Sequence, residues 1–408
     1  MSVVDHSTKL ASDKTILSKQ GLPKTPLPKT PLPKNSVVCL MAPTASGKTS
    51  LAYELYNTGR FEIISVDSAL IYKDMNIGTA KPTSEELSKY PHYLVDIIDP
   101  TDTYSVASFV NDVERLIEEI HGRNKIPLLV GGTMMYYMAL FDGLSAVPET
   151  DTQVREEVEQ WRKQQGIEAL HEYLQQVDPT IAERLPLGDT QRITRAVEVY
   201  KQTGKPLSEW QKLPKQALSN NPEQYWLGLA VMPDRAWLHE RIELRLQLMW
   251  QQGFFEEMIN LLQQYQLSAD MPSMRCVGYR QVIDYLLLTD HPAAKLLVNN
   301  GEDVENKGLT VDSLDEATAC QDMKNKALYA TRQLAKRQYT WLRNLVASFD
   351  PSNVELANAD QQDNNITDQG QLPQTDTLNT SAQLDCGNKV VHAFATIIEA
   401  KDYLSSRL

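Results

Sequence analysis

Leu40-Met41-Ala42-Pro43-Thr44-Ala45-Ser46-Gly47-Lys48-Thr49-Ser50 joins a strand-like run to a helix-like one through a loop of small residues. It follows the apolar run Ser36-Val37-Val38-Cys39-Leu40 and leads into a helical pattern through Leu51, Ala52, Leu55 and Tyr56. A buried strand, a small-residue loop and a helix N-terminus together make a phosphate cradle. Backbone N–H groups and the positive end of the helix dipole face an anion there, and Lys48 adds a mobile charge. Thr44, Ala45, Ser46, Gly47, Lys48 and Thr49 are therefore expected to hold a phosphate or diphosphate. The Thr49 hydroxyl falls where a magnesium ion usually sits. The G-x-x-x-x-G-K-[ST] pattern is met except at its first glycine, where Ala42 stands. Glycine tolerates backbone angles that alanine resists, so the loop geometry at Ala42 is open.

The 408 residues suffice for one large domain or two ordinary ones. A hydrophobic fraction of 42% beside 23% charged residues reads as a globular, cytoplasmic chain with no membrane segment. Its four cysteines lack metal-ligand or disulfide spacing. The net charge of −13 argues weakly against a nucleic-acid partner. That charge is unevenly spread, because the Asn/Gln/Asp-rich stretch 350–388 contains no Lys or Arg and reads as disordered. A Pro/Lys-rich leader, residues 1–34, reads as a tether. Residues 291–315 read as a polar insertion, and the apolar pattern after Val390 as a last core helix.

A second buried strand, Ile63 to Val66, ends at Asp67. In an open α/β sheet the carboxyl edge faces the ligand crevice, so Asp67 is a candidate general base or metal partner; an N-cap is the equal alternative. His92 to Ile98 reads as another short strand, Ile126 into Gly131-Gly132-Thr133 as a buried strand that lacks the strand-end acid common in P-loop ATPases, and Tyr225 to Val231 as the run that resumes the sheet. Thr133 offers either a crevice hydroxyl or a turn-stabilising one. The composition from Glu149 to Leu213 is charged and helix-forming, a helical insertion in the α/β core. Within it, Gln191-Arg192-Ile193-Thr194-Arg195 carries two arginines on one helical face.

The segment from Asp234 to Leu262 reads as a helical pair broken at Gly253. Arg241 and Arg245 share a face and repel unless an anion or acid lies between them, which makes them candidate diphosphate ligands. Arg275-Cys276-Val277-Gly278-Tyr279-Arg280 follows, and then a helix over 324–345 without an acidic residue. Its Lys336-Arg337-Gln338-Tyr339-Thr340-Trp341-Leu342-Arg343 run interleaves basic and aromatic side chains, suited to phosphates and stacked bases.

Taken in order, these motifs closely resemble the bacterial tRNA dimethylallyltransferase family. The matching residues are Ala42 to Thr49, Val66-Asp-Ser-Ala-Leu-Ile-Tyr72, Ile77-Gly-Thr-Ala-Lys-Pro82, Gly131-Gly-Thr133, Gln191-Arg192, Arg275 to Arg280 and Ala330 to Gln338. The resemblance implies a P-loop NTPase-like parallel-sheet core with an inserted all-helical domain. It implies transfer of a dimethylallyl group from dimethylallyl diphosphate to N6 of adenosine 37 in the tRNA anticodon stem-loop, with Mg2+ as cofactor. Asp67 and Thr133 are then the expected catalytic residues. Asp67, Ser68, Ala69, Leu70, Thr133 and the three basic runs (191–195, 275–280 and 336–343) are the expected tRNA contacts, in a monomer. A P-loop kinase using ATP, transfer to a free adenine nucleotide, and a non-catalytic RNA binder are the rival readings.

Overall fold

The computed structural model describes residues 30–298, 316–349 and 388–408. Six strands form one sheet: β1 (Ser36–Met41), β2 (Phe61–Val66), β3 (His92–Tyr93), β4 (Ile126–Gly131), β5 (Tyr225–Val231) and β6 (Lys389–Phe394). Their order is β3-β2-β4-β1-β5-β6, and every neighbouring pair is parallel. β1 and β4 are buried at every position, as strands covered on both faces must be.

Alternation along β1 divides the core. Val37, Cys39 and Met41 face one layer, with α3 (Val106–Gly122), α4 (Met134–Asp142) and the C-terminal part of α12 (Glu316–Phe349). Val38 and Leu40 face the other, with α1 (Lys48–Asn57) and α13 (Ile397–Ser405). Ser105 caps α3, whose Phe109, Val113, Leu116 and Ile120 make the stripe that meets the sheet.

Two further clusters lie off the sheet. Val158, Leu170, Leu174, Ile193, Ala196 and Val197 give a core of their own to α5 (Thr152–Val177), α6 (Pro179–Arg184) and α7 (Thr190–Thr203). α8 (Leu207–Gln211) closes this helical segment, which enters the chain between α4 and β5. The other cluster joins α9 (Arg235–Gln251), α10 (Phe254–Gln264), α11 (Tyr279–Leu288) and the first half of α12. Gly253, at φ 96°, parts α9 from α10 where the sequence indicated a break.

Two boundaries differ from the sequence reading. The C-terminal apolar stretch is not a helix alone: Lys389–Phe394 adds β6 beside β5, and only then does α13 begin. Its β-branched Val390 and Val391 suit a strand. Nor does the leader act as a tether up to Lys34. Leu32 is buried, its N–H donates to Arg407 O, and Thr30 O accepts from Arg407 Nε at 2.7 Å. The last residues of the leader thus belong to the core. Leader residues 1–29, most of the polar insertion (299–315) and the acidic stretch 350–387 lie outside the described residues.

Candidate functional site

Parallel register sets the site. Met41 and Val66 both align with Gly131, so the loops after β1, β2 and β4 leave the sheet at one edge. That edge carries Ala42–Lys48, Asp67 and Thr133 together, as the strand-end argument required.

The β1–α1 loop has the chemistry of an anion cradle. Gly47 sits at the N-cap of α1 at φ 90° and has no side chain to cap the first-turn N–H groups. Ser46 is buried and its Oγ has no hydrogen-bond partner. Orphan donors at a helix N-terminus, with a buried hydroxyl beside them, fit phosphate oxygens. The Thr49 hydroxyl group lies on an exposed residue of the first turn, open to a hydrated cation. Ala42 needs no glycine: it is not among the left-handed residues, and its N–H donates to Gly131 O at 3.3 Å. The left-handed alanine of the loop is Ala45, at φ 62°.

α9 holds this loop from the side. Arg241 Nε donates to Ala45 O at 2.9 Å, and Arg245 donates to Thr44 Oγ1 at 3.3 Å. Arg241 also stacks over Trp237, 4.9 Å from the ring centre. Lys48 Nζ donates to Pro43 O at 3.4 Å. Burial, and then the charge of Arg245, push the Lys48 ammonium down to about 8, while Asp67 opposes them. Burial likewise lowers Arg245. Three cations packed this closely are relieved by an anion among them.

Asp67 lies within the field of Lys48 and Arg245. Its Oδ1 accepts from Ala69 N at 2.9 Å and Leu70 N at 3.4 Å. No helix follows Asp67, so the N-cap alternative is not met; its carboxylate closes a local turn instead, and that turn aims it. Thr133 Oγ1 accepts from Ser68 N at 3.0 Å, so the hydroxyl braces the turn next to Asp67. Burial pushes the Cys276 thiol up to about 12, with the Asp67 charge adding to the effect.

Sequence reasoning missed what supports this edge. Glu257 of α10 accepts from Asn76, Ile77 and Gly78 N–H groups at 3.0, 2.6 and 3.0 Å and from the Tyr279 hydroxyl at 2.6 Å. The Lys81 ammonium is buried, donates to Tyr72 O at 2.6 Å and pairs with Asp96. Ile77-Gly-Thr-Ala-Lys81 was the available signal, since a lysine inside an apolar segment calls for an acid.

The basic runs do not present every residue. Gln191 and Arg192 are exposed, with Arg192 3.2 Å from Asp189. Arg195 instead turns to the junction with the core, donating to Pro148 O at 2.8 Å. Arg275, Arg280, Lys336, Arg337 and Trp341 are exposed, while Val277, Thr194, Thr340, Tyr339 and Arg343 are half-buried. Four expected RNA contacts are corrected by burial. Ile193 and Leu342 are wholly buried in two hydrophobic cores, Tyr279 is wholly buried against Phe254, and Gly278 is buried beside that same ring. A buried side chain cannot reach a macromolecule. Gln338 is corrected by its bonds, since its amide joins Thr44 N and Gly132 O.

The model of the family described as IPP transferase matches residues 70–345. The chain belongs to the IPP transferase family. The tRNA dimethylallyltransferase of Psychrobacter sp. (strain PRwf-1) is 69% identical over 375 residues, covering 92% of this chain and 96% of that one. The enzyme of the same name from Acinetobacter baumannii is 49% identical over 316 residues, covering 77% and 92%. A solved eukaryotic dimethylallyltransferase acting on tRNA superposes with a TM-score of 0.57 at 23% identity, over 79% of this chain and 72% of that chain, a likeness of fold. The P-loop NTPase-like core with its parallel sheet is thus the fold of this IPP transferase family member.

Proposed function

We propose that the chain transfers the dimethylallyl group of dimethylallyl diphosphate to a tRNA, at N6 of adenosine 37 in the anticodon stem-loop, in the cytoplasm. The observation that carries this reading is the meeting, at one sheet edge, of an anion loop gripped by Arg241 and Arg245 with a carboxylate aimed by its own turn. β4 ends in Gly131 and no strand-end acid follows, which favours a diphosphate leaving group over the hydrolysis or transfer of an ATP phosphate. Relatives named tRNA dimethylallyltransferase at 69% and 49% identity support the tRNA acceptor.

In the reaction, the N6 nitrogen attacks the allylic carbon, and the carbon–oxygen bond to the diphosphate breaks with its electron pair leaving on oxygen. Loop N–H groups, Lys48, Arg241 and Arg245 stabilise that growing charge. Thr49 and the donor's own oxygens would hold Mg2+, which supplies further neutralisation of the diphosphate. Asp67 takes the proton released from N6, and Thr133 keeps the Asp67 turn in place. The adenine reaches this edge by leaving its stack, held from outside by phosphate contacts to Arg192, Arg275, Arg280, Lys336 and Arg337.

No helix among the described residues is long and apolar enough to cross a membrane. The direct test is incubation with radiolabelled dimethylallyl diphosphate and either tRNA or AMP/ATP. Label in tRNA supports the proposal. Label only in the nucleotide, or ATP turnover without prenylation, overturns it.

A further inference from the structure

Gln338 lies on α12 beside the exposed Lys336 and Arg337, yet its side chain turns inward. Its Nε2 donates to Gly132 O at 2.8 Å, and its Oε1 accepts from Thr44 N–H at 3.0 Å. A backbone N–H only donates and a carbonyl only accepts, so these partners fix which way the amide points. A Cβ on Gly132 would come within 2.6 Å of that Nε2, so only glycine admits the amide.

The two bonded loops do different work. Thr44 belongs to the diphosphate loop and its hydroxyl receives Arg245. Gly132 leads into Thr133, whose hydroxyl receives Ser68 N–H one residue from Asp67. One amide therefore spans the gap between the leaving-group cradle and the base. The helix bearing it is itself anchored. Arg332 bonds Glu243 of α9 at 2.8 Å, and Arg235 of α9 lies over the Tyr339 ring at 5.3 Å. α9 and α12 thus grip the same loop from two sides, Arg241 and Arg245 on one and Gln338 on the other.

We infer that Gln338 is a positioning residue that sets the spacing between the diphosphate loop and Asp67, and that it does not contact RNA. The inference rests on the prenyl-transfer reading above. Its chemical content is orientation: displacing reacting groups by about an ångström costs roughly 10²-fold in rate.

Gln338→Met keeps length and fills the space but neither donates nor accepts a strong hydrogen bond. Single-turnover transfer is measured with donor and tRNA both saturating, below the variant's melting temperature, together with the Kd of each substrate. The expected result is a rate constant lower by roughly 10²-fold with tRNA affinity and its salt dependence unchanged. Combining Gln338→Met with Thr133→Val should lose little beyond the larger single effect, since both cut one chain of bonds. Weaker tRNA binding with a shallower salt slope would make Gln338 an RNA contact and overturn the inference. A lower melting temperature with an unchanged saturated rate would make it a packing residue, with the same consequence. A wild-type protein that prenylates no tRNA overturns the functional reading and this inference together; a null effect confined to the variants overturns this inference alone.

Discussion

The β1–α1 loop and the basic outer face of α7, α11 and α12 are both rich in cations, yet they are built in opposite ways. At the loop, Arg241, Arg245 and Lys48 are each committed to a backbone or side-chain oxygen of the loop itself. On the outer face, Arg192 and Arg280 stand exposed beside acids of their own helices, 3.2 and 3.9 Å away. The first region is held in place by its own bonds, and its Lys48 and Arg245 charges lie in a medium that screens poorly, while Arg241 is more exposed. The second keeps its charges in water, where each contact is weak and many are needed. A small rigid diphosphate suits the one and a long polyanion suits the other.

That contrast can be attacked from its most sensitive point. Asp67→Asn keeps the side chain's shape and the acceptor in its turn but cannot take a proton. Single-turnover transfer should fall by about 10²–10⁴-fold with the melting temperature nearly unchanged. Near-normal transfer with a loss of about 1 kcal/mol in stability would reduce Asp67 to a turn residue.

Arg245→Ala removes a charge from the assembled loop. A charge-assisted contact is worth about 1.5–3 kcal/mol, so donor KM should rise roughly 10- to 150-fold while tRNA affinity holds. Steady-state kinetics with each substrate varied in turn gives both numbers.

The lowered Lys48 ammonium adds a pH signature. Only its protonated form attracts the diphosphate. Above pH 8 the protonated fraction falls up to tenfold per unit, and donor Kd should rise with it. Below pH 8 the dependence from this group flattens. Lys48→Arg should stay flat through the same range, and a wild-type profile without the rise would remove Lys48 from the anion site.

The smallest effect belongs to the outer face. Arg280→Ala or Lys336→Ala should weaken tRNA binding modestly and reduce the slope of log K against log salt by about one unit per lost phosphate contact. Unchanged slopes in both variants would place the RNA elsewhere.

The parts of this architecture legible in the sequence are those governed by short-range rules. Apolar runs marked β1, β2, β4 and β5, Gly47-Lys48-Thr49 marked the helix start, and a strand end placed Asp67. The i, i+4 spacing of Arg241 and Arg245 called for an anion or acid between them, and the structure seats both on oxygens of one loop, Ala45 O and Thr44 Oγ1. What stayed hidden depends on long-range partners. Gln338 meets Thr44 across 294 residues and Glu257 meets Gly78 across 179, with no local pattern to announce either. β6 was read as helix because a short apolar stretch does not reveal its period. Ile193, Tyr279 and Leu342 were misplaced because contiguous runs were read as faces. A helix turns one residue in three or four toward its core, and those three were the inward ones.

The most direct test of the central claim, a preassembled donor site beside an exposed tRNA face, is one titration on one protein. Donor Kd and tRNA Kd are measured across about 50–200 mM salt, the range over which polyanion binding loses several powers of ten when six or more phosphates are held. The expected result is a tRNA affinity that falls steeply and a donor affinity that falls only slightly. Parallel losses for both ligands, or a tRNA affinity indifferent to salt, would contradict it.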